Sequence, residues 1–176
     1  NVLFPDSISL VTAIIIGYSI SAPSYSGPPG DHFNGKNFIN PQGVKAKGLY
    51  EVLKWALSRQ PGVWTEKKDV AVGNKPLCEV TKGIRITFVN HSTFLIQVNG
   101  LNILTDPVWS ERVSPFTWIG PKRMRPPGIR FEDLPEIHLV LISHNHYDHL
   151  DIATLRVLFG AHHPQIVAPL GVGKFL

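Results

Sequence analysis

The chain has 176 residues, enough for one domain with a sizeable core and short for two. Hydrophobic residues make up 43% of the chain and charged residues 17%, which excludes a disordered chain or a nucleic-acid-binding tail. The formal net charge of +4 is modest. A single cysteine, Cys78, excludes an intramolecular disulfide and a thiolate zinc cluster in this segment, and we expect it to be a small hydrophobic group.

Residues 1–22 are predicted to be a signal-like or membrane-proximal apolar segment. Fifteen uncharged residues run from Ile8 to Ala22, fewer than the about 20 that a membrane-spanning helix needs. Their length suits the apolar region of a secretory signal, with Ser19-Ile20-Ser21 as a cleavage region, and a buried strand or helix is the alternative. We therefore expect a membrane-associated or exported protein, with a cytoplasmic location as the alternative.

Residues 23–62 are predicted to form an extended arm followed by an amphipathic helix. Proline, glycine, serine and asparagine are frequent from Pro23 to Pro41, which is typical of an irregular arm. The helix is predicted from Gly48 to Ser58. Its apolar residues recur at helical spacing and are Leu49, Val52, Leu53, Ala56 and Leu57. We expect this face to pack on the main body, with contact to a membrane surface as the alternative.

Residues 63–176 are predicted to form a layered α/β domain. Apolar runs predict five strands and one helix. The strands are Ile84–Val89, Phe94–Val98, Leu101–Thr105, His138–Ile142 and Ile166–Ala168, and the helix is Leu150–Phe159. Asn99-Gly100 between two apolar runs predicts a tight hairpin. A strand, a helix and another strand at this spacing indicate a sheet covered by helices.

A basic run occupies the loop before the fourth predicted strand. Its members are Lys122, Arg123, Arg125 and Arg130, and no acidic residue falls between Pro121 and Arg130. Such a run is usually a solvated loop. The alternative is a cationic lip that attracts phosphate head groups or an anionic membrane surface.

The segment from Leu141 to Asp151 concentrates the chemistry. Three histidines and an aspartate fall within six residues directly after a buried strand, and they are His144, His146, Asp148 and His149. Alternation along an extended backbone puts the first two histidines on one side, and the other two groups are expected at the start of the following helix. Imidazole and carboxylate are the groups that bind zinc in catalytic sites. The spacing predicts two adjacent metals, one for each pair.

Two divalent metal ions, most simply zinc, lying about 3.5–4 Å apart can share a hydroxide and hold a phosphoryl or carbonyl oxygen. The alternative is a loop of solvent-exposed histidines, which four potential ligands at one strand end disfavour. The remaining histidines without comparable neighbours are His32, His138, His162 and His163, and we expect them at the surface.

The sequence His-x-His-x-Asp-His after an apolar strand resembles the motif of the metallo-β-lactamase superfamily. Further segments resemble its N-acylphosphatidylethanolamine-hydrolysing phospholipase D branch, and the arm resembles bacterial members of that branch. They are Tyr25–Pro29 and Asp31–Phe33 in the arm, and Asn90–Ile96, Leu104–Val108, Ser114–Phe116, Gly120–Arg123 and Leu141–Asp151 in the domain. The resemblance implies an α/β fold, a four-layer αββα sandwich, of which this chain is expected to be the first half.

The resemblance implies a role for each matching residue of the metal motif. His144 and His146 would bind the first metal, while Asp148 and His149 would bind the second. Asp148 would also act as the catalytic residue that orients the attacking hydroxide. The family's third histidine for the first metal, its bridging aspartate and its final histidine would lie beyond residue 176, so this segment alone is expected to bind metal weakly and to be inactive.

Three further positions that can be compared with the family lie outside the metal motif, and two of them match. Asp106 would brace the metal-binding loop, as groups that hydrogen-bond a ligand do, and its alternative is a turn former before Pro107. His91 matches a position near the site, and its alternative is a histidine that merely ends a strand. Asn90 stands where the family usually has glycine, a departure that could alter the local backbone.

The resemblance implies a metal-dependent phosphodiesterase that uses a metal-bound hydroxide on an N-acylated phospholipid or similar amphiphile. A sugar-phosphate lactonase of the same superfamily is the alternative enzyme. A non-catalytic, membrane-associated module is the alternative from another class, if ligands are missing downstream. We expect a phospholipid or other amphiphilic phosphodiester and a membrane surface as partners, with no nucleic acid, and a bacterial periplasm or cell envelope as the location. Metal identity and oligomeric state are left open.

Overall fold

The computed structural model describes residues 25–43, 47–58, 60, 65, 70–114, 118, 120–174 and 176. The apolar run from Ile8 to Ala22, with its interpretations as a signal, a membrane-proximal segment or a buried element, lies outside these residues. Within the part of the chain that is described, no helix has the length and apolar character required to cross a membrane.

Five strands form one mixed sheet in the order of the chain, β1 to β5. The helices are α1 (Leu49–Ser58) and α2 (Ile152–His162), and the strands are β1 (Ile84–Asn90), β2 (Thr93–Val98), β3 (Leu101–Thr105), β4 (Leu139–Leu141) and β5 (Gln165–Val167). Short 3-10 turns occupy Phe131–Asp133 and Val172–Lys174. β1, β2 and β3 pair antiparallel, whereas β3, β4 and β5 pair parallel. The predicted strands and the predicted helix after the metal motif are confirmed within two or three residues at each end.

The hairpin between β2 and β3 forms at the predicted dipeptide. Asn99 has a φ of 49° and Gly100 a φ of 79°. Positive φ at both central residues is the requirement of a two-residue turn whose twist matches the strands it joins. Val98 and Leu101 then pair directly across the turn, which sets the register of the whole hairpin.

Asp151 fixes where α2 begins. Its carboxylate accepts hydrogen bonds from the backbone N–H and the hydroxyl of Thr154 at 3.2 and 2.6 Å. The same carboxylate accepts two more from the backbone N–H and hydroxyl of Ser110, at 3.0 and 2.8 Å. An acidic side chain at this position satisfies N–H groups that have no partner inside the helix. Asp151 therefore joins the end of the metal motif to the loop after β3.

The hydrophobic core lies on the face of the sheet that α2 covers. Side chains from alternating strand positions, such as Leu95, Leu104 and Val140, are fully buried there. They pack with Leu155 and Leu158 from α2. Period-two alternation in the strands brings one side of every strand to this core, so the end of β4 is held rigidly beneath the metal motif.

The opposite face of the sheet is also apolar, and it is largely open. Ile84, Ile86 and Phe88 of β1 are each about 60% exposed. Their cross-strand partners Val98, Ile96 and Phe94 continue the apolar surface onto β2. An apolar sheet face normally packs against another layer. The described residues thus form one sheet and its helix layer, with a face suited to a second sheet.

A buried polar cluster ties the segment before β1 to the edge of the hairpin. The amide of Gln97 donates to the carbonyl of Leu77 and to Asn102 Oδ1, both at 2.8 Å. Asn102 Nδ2 in turn donates to the carbonyl of Cys78 at 2.8 Å, and its backbone N–H donates to His138 Nδ1 at 3.0 Å. The prediction that His138 is a surface group is therefore wrong, because this half-buried ring accepts a backbone hydrogen bond. Cys78 is exposed.

The amphipathic helix α1 is present where it was predicted, but none of its residues is buried. Leu49, Val52 and Leu53 are 65, 41 and 38% exposed. Among the described residues α1 makes no close approach to another helix or strand. The expectation that its apolar face packs on the main body is therefore wrong for this part of the chain, and the alternative of a membrane-surface contact stays open.

The basic run is mostly used in contacts within the chain. Arg123 donates to the carbonyls of Val108 and Ser110 at 3.0 and 3.1 Å, so it pins the loop after β3. Lys122 pairs with Glu111, and Arg130 pairs with Asp133. Lys122, Arg123 and Arg130 thus contact partners within the chain, whereas Arg125 is exposed, as the prediction of a solvated loop requires. Their sequence spacing did not reveal partners that come from other loops.

Candidate metal centre

The metal motif occupies the loop between β4 and α2. β4 ends at Leu141, and the backbone turns so that the N–H groups of His149 and Leu150 donate to the carbonyl of His146 at 2.9 and 2.7 Å. This turn folds the second half of the motif back over the first. Asp148 lies in the turn ahead of the helix, which begins at Ile152. The prediction that Asp148 and His149 open the helix is wrong, because Asp151 places the cap after them.

His144 and His146 lie side by side as one pair. His144 Nε2 and His146 Nδ1 are 3.0 Å apart, and their ring centroids are 4.6 Å apart at 77°. Two imidazole nitrogens this close can donate to a single metal ion. Burial, followed by the nearby charges of His149 and His146, lowers the pKa of His144. A lowered pKa keeps the ring neutral, which is the form that binds a metal.

His91, Asp148 and His149 form a second group. One ligand atom from each lies within 4.8 Å of the others. His91 Nε2 is 3.0 Å from Asp148 Oδ2, and His149 Nε2 is 3.7 Å from the same oxygen. The two groups are adjacent, because the rings of His144 and His149 are 4.0 Å apart. The structure thus brings together all four predicted ligands and His91.

Asp106 lies beneath the motif, at the end of β3. One carboxylate oxygen accepts the backbone N–H of Ser143 at 2.7 Å. The other meets the Ser143 hydroxyl at 2.7 Å and His149 Nδ1 at 2.8 Å. Burial opposes the ionisation of Asp106, but the hydrogen bonds from His149 and Ser143 outweigh it and lower the pKa of this carboxyl. Asp106 thus faces His149 as an anion.

The contact with Asp106 decides how His149 can act. An anionic partner at Nδ1 favours the tautomer with hydrogen on that nitrogen. The Nε2 atom, which lies toward Asp148, then carries a free lone pair for a metal ion. The described donors, imidazole nitrogens and a carboxylate converging from one loop, fit a divalent cation of zinc's character.

Two residues at the centre adopt positive φ although neither is glycine. His91 has a φ of 38° in the turn between β1 and β2, and Asp106 a φ of 36° just after β3. Such conformations cost free energy and persist where the surroundings impose them. Asn90 helps to impose the first, since its side-chain amide donates to the carbonyl of Val108 at 3.0 Å. A glycine at this position would lack that tie.

Ser143 belongs to the centre, although the sequence contains no clear signal for its role. Ser143 supports the motif through Asp106, and its hydroxyl lies 2.9 Å from His144 Nδ1. Its position just before the first histidine was the only available hint.

The histidines that were predicted at the surface lie outside the centre. His32 pairs with Asp31 in the arm, and His163 follows the end of α2 with a φ of 49°. His162 is half-buried rather than at the surface, against the prediction.

Comparisons with known proteins find similarity over parts of this chain. A family model described as "Beta-lactamase superfamily domain" matches residues 101–176. The N-acyl-phosphatidylethanolamine-hydrolyzing phospholipase D 1 of Caenorhabditis elegans is 34% identical over 158 residues, covering 81% of this chain and 44% of that protein. The mitochondrial enzyme of the same name from Saccharomyces cerevisiae is 34% identical over 90 residues, covering 51% of this chain and 19% of that protein.

An uncharacterized protein of Mycobacterium tuberculosis is 45% identical over 93 residues, covering 53% of this chain and 25% of that protein. A solved structure of a CmlA beta-hydroxylase mutant has 28% identity and a TM-score of 0.34, covering 50% of this chain and 16% of that chain. This chain therefore spans 44% or less of each of these proteins.

Residues 101–176 therefore match the domain model of the β-lactamase superfamily, and the chain is similar to phospholipases D named for hydrolysis of N-acyl-phosphatidylethanolamine. The mixed sheet with its covering helix fits part of an α/β metallo-β-lactamase fold.

Proposed function

We propose that the protein is a metal-dependent hydrolase, a phosphodiesterase of phospholipase D type acting on an N-acylated phospholipid or a similar amphiphile. The observation that carries the proposal is the convergence of His91, Asp148 and His149 beside the pair His144 and His146. The similarity to relatives named for hydrolysis of N-acyl-phosphatidylethanolamine supports the reaction and the substrate class. The whole protein's activity and substrate are proposals, since the chain spans less than half of those relatives.

The proposed cofactors are two divalent metal ions, most simply zinc. His144 and His146 would hold one ion, while Asp148 and His149 would hold the other. Metal ions at these positions would supply Lewis acidity to a phosphoryl oxygen and make a nearby water more acidic. The donor set of neutral imidazoles and a carboxylate fits that chemistry.

The chain's own residues position the reacting groups. Asp148, the proposed catalytic residue, orients the attacking water through its carboxylate. His91 holds that carboxylate in place from 3.0 Å. Asp106 keeps a proton on His149 Nδ1 and leaves Nε2 free. The loop is therefore preorganised by its supporting contacts, which reduces the cost of orienting the substrate and water.

A membrane surface is the proposed place of action, with an exported or cell-envelope location. The supporting observation is the unburied apolar surface of α1, in which Leu49, Leu53 and Leu57 recur every four residues and are 65, 38 and 83% exposed. Helices of this character lie in the interface of a bilayer with the apolar face inserted.

The experiment that tests the function is hydrolysis by the intact protein loaded with zinc. Phosphodiester cleavage of an N-acylphosphatidylethanolamine is measured beside opening of a sugar-phosphate lactone, with and without a chelator. We expect chelator-sensitive cleavage of the phospholipid and a loss of about 100-fold in His144→Ala. His163→Asn, which changes an exposed histidine just after α2, is the matched control and should retain activity.

Each other outcome has a distinct meaning. Opening of the lactone alone would contradict the proposed substrate class but would leave the proposed metal centre unchanged. Zinc bound stoichiometrically without hydrolysis of either substrate would favour a non-catalytic module. Unchanged activity in His144→Ala would overturn the assignment of the centre itself.

A further inference from the structure

The arm before α1 forms a tight hairpin. Phe33 and Phe38 pair as an isolated antiparallel bridge, and the residues between them make the turn. Asn34 closes the turn, because its side-chain oxygen accepts the backbone N–H groups of Lys36 and Asn37 at 3.0 and 2.8 Å. Asparagine side chains commonly mimic a backbone turn in this way. The predicted extended arm is thus a defined structure at this point.

Three aromatic rings give the hairpin an apolar surface. Tyr25 lies 5.0 Å from Phe33 and 5.6 Å from Phe38 between ring centroids, and the two phenylalanines are 4.9 Å apart. These separations are typical of favourable aromatic packing. Phe33 is 4% exposed and supports the cluster, whereas Phe38 keeps 54% of its surface exposed. An exposed ring on a packed base is available for a ligand.

The hairpin faces the metal motif across a cavity of about 410 Å³. Tyr25, Lys36 and Phe38 line one wall, His144 lines another, and Leu170 after β5 contributes a third. Sites for small molecules and cofactors usually enclose about 300–1,000 Å³. The volume of this cavity lies within that range, and its lining joins the aromatic hairpin to His144, the first predicted metal ligand.

Lys36 is the cation of this wall. Its side chain is exposed and makes no ion pair with any described residue. An exposed ammonium beside an apolar ring complements a molecule with an anionic head and a hydrocarbon chain, and lysine binds phosphate as a point charge. The charge and the apolar surface together select an amphiphilic phosphate over a neutral lipid or a small polar anion.

We propose that the hairpin of residues 25–39 is the wall of the substrate site that recognises an amphiphilic phosphodiester. Phe38, backed by Tyr25 and Phe33, contacts an acyl chain, and Lys36 binds the phosphate next to His144. The proposal rests on the proposed function, because the cavity's other wall is the metal motif. It assigns specificity to the arm, which supplies none of the metal ligands.

The test is direct binding to the intact, zinc-loaded protein, measured by calorimetry at low salt. One probe is dihexanoyl phosphatidic acid, which has acyl chains and a phosphate but lacks the diester bond that would be cleaved. The other is glycerol 3-phosphate, which lacks the chains. We expect Phe38→Ala to weaken binding of the phosphatidic acid about tenfold and leave glycerol 3-phosphate unchanged. We expect Lys36→Gln to weaken both about fivefold, and less at high salt.

The chain offers matched controls for both changes. Phe159→Ala removes a ring that is 53% exposed, close to the 54% of Phe38, but on α2 and away from the cavity wall. Lys82→Gln removes an exposed lysine before β1. Gly27→Ala is a second perturbation of the arm, since a side chain there would collide with the Tyr25 hydroxyl and displace that ring. It should weaken the phosphatidic acid selectively and serves if Phe38→Ala fails to fold.

The outcomes separate this proposal from the proposed function. Equal affinities for the phosphatidic acid in wild type, Phe38→Ala and Gly27→Ala would overturn the role of the arm, whatever the hydrolysis assay gives. Absence of phosphatidic acid binding by the wild-type protein would overturn it as well. Selective binding losses in a protein that hydrolyses neither the phospholipid nor the lactone would support the arm as a recognition wall and reject only the catalytic function.

Discussion

Asp106 and His149 are 43 residues apart in the chain, yet Asp106 Oδ2 and His149 Nδ1 lie 2.8 Å apart in the structure. The parallel pairing of β3 with β4 brings them together, since Thr105 at the end of β3 pairs with Leu141 at the end of β4. Asp106 directly follows β3, and His149 lies in the loop that follows β4. The carboxyl ends of adjacent parallel strands share one edge of a sheet, where functional side chains from different strands converge. The metal motif is thereby supported from below by an anion that itself need not bind metal.

Replacing Asp106 should weaken metal binding. Asp106→Asn removes the anion opposite His149 Nδ1, so the favoured tautomer and orientation of that ring are lost. We expect zinc affinity of the intact protein to fall by about 10–100-fold, measured by competition with a chelator. Asp133→Asn, which changes a surface carboxylate paired with Arg130, is the matched control. Equal zinc affinity in Asp106→Asn and wild type would contradict the bracing role.

Removing the cap of α2 should destabilise the fold. Asp151 is 7% exposed, and its carboxylate accepts hydrogen bonds from Ser110 and Thr154. Asp151→Ala leaves these donors without a partner, so we expect the free energy of unfolding to fall by about 2–4 kcal/mol. Urea unfolding measures it. Asp31→Ala, at an exposed site in the arm, should change little, and a similar small change in Asp151→Ala would refute the capping role.

His162 should make stability depend on pH. Burial lowers the pKa of this histidine below the ordinary value of 6.5, against the attraction of Glu136. The folded state therefore binds a proton less readily than the unfolded state. Its contribution to stability is complete above about pH 6.5 and is lost as the pH falls toward the folded pKa.

The measurement is urea unfolding of wild type and His162→Gln from pH 7.5 to 5. We expect the loss of stability on acidification to be smaller in the variant. His32→Gln, at an exposed histidine of the arm, controls for the loss of an imidazole. A pH dependence that is the same in wild type and His162→Gln would show that other groups carry it.

A charge on the apolar face of α1 should reduce membrane binding. Leu53→Glu places a carboxylate between Leu49 and Leu57, at the centre of the face. Burial of one leucine in a bilayer interface is worth about 1.5–3 kcal/mol, so we expect at least about tenfold weaker binding to phosphatidylglycerol–phosphatidylcholine vesicles in co-sedimentation. Val157→Glu, on the exposed side of α2 at 56% exposure, is the control. Equal sedimentation of wild type and Leu53→Glu would exclude α1 as the contact.

Much of the domain follows from local chemistry, because alternation, turn dipeptides and helical spacing act over a few neighbouring residues. The strands, the Asn99-Gly100 hairpin and the helix after the motif were predicted for this reason. The metal motif was predicted too, since four ligand-type side chains fall within six residues. The contact partners of these side chains were harder to predict. α1 shows the same limit of local patterns: its residue spacing predicted the helix correctly, but the prediction that its apolar face packs on the main body was wrong, because spacing does not say what covers a face.

Only the tertiary structure decided which distant groups serve the motif. His91 reaches Asp148 across 57 positions, and the hairpin around Phe38 reaches His144 across more than a hundred residues. The basic run also contacts residues that are distant in the sequence, since Arg123 donates hydrogen bonds to carbonyls of the loop after β3. Contacts of this kind depend on strand order and on backbone turns such as the positive φ of His91, and no local pattern encodes them. The amino-acid sequence determined the candidate ligands, and the parallel pairing of β3 with β4 determined what holds them, because only a folded sheet brings its strand ends to one edge.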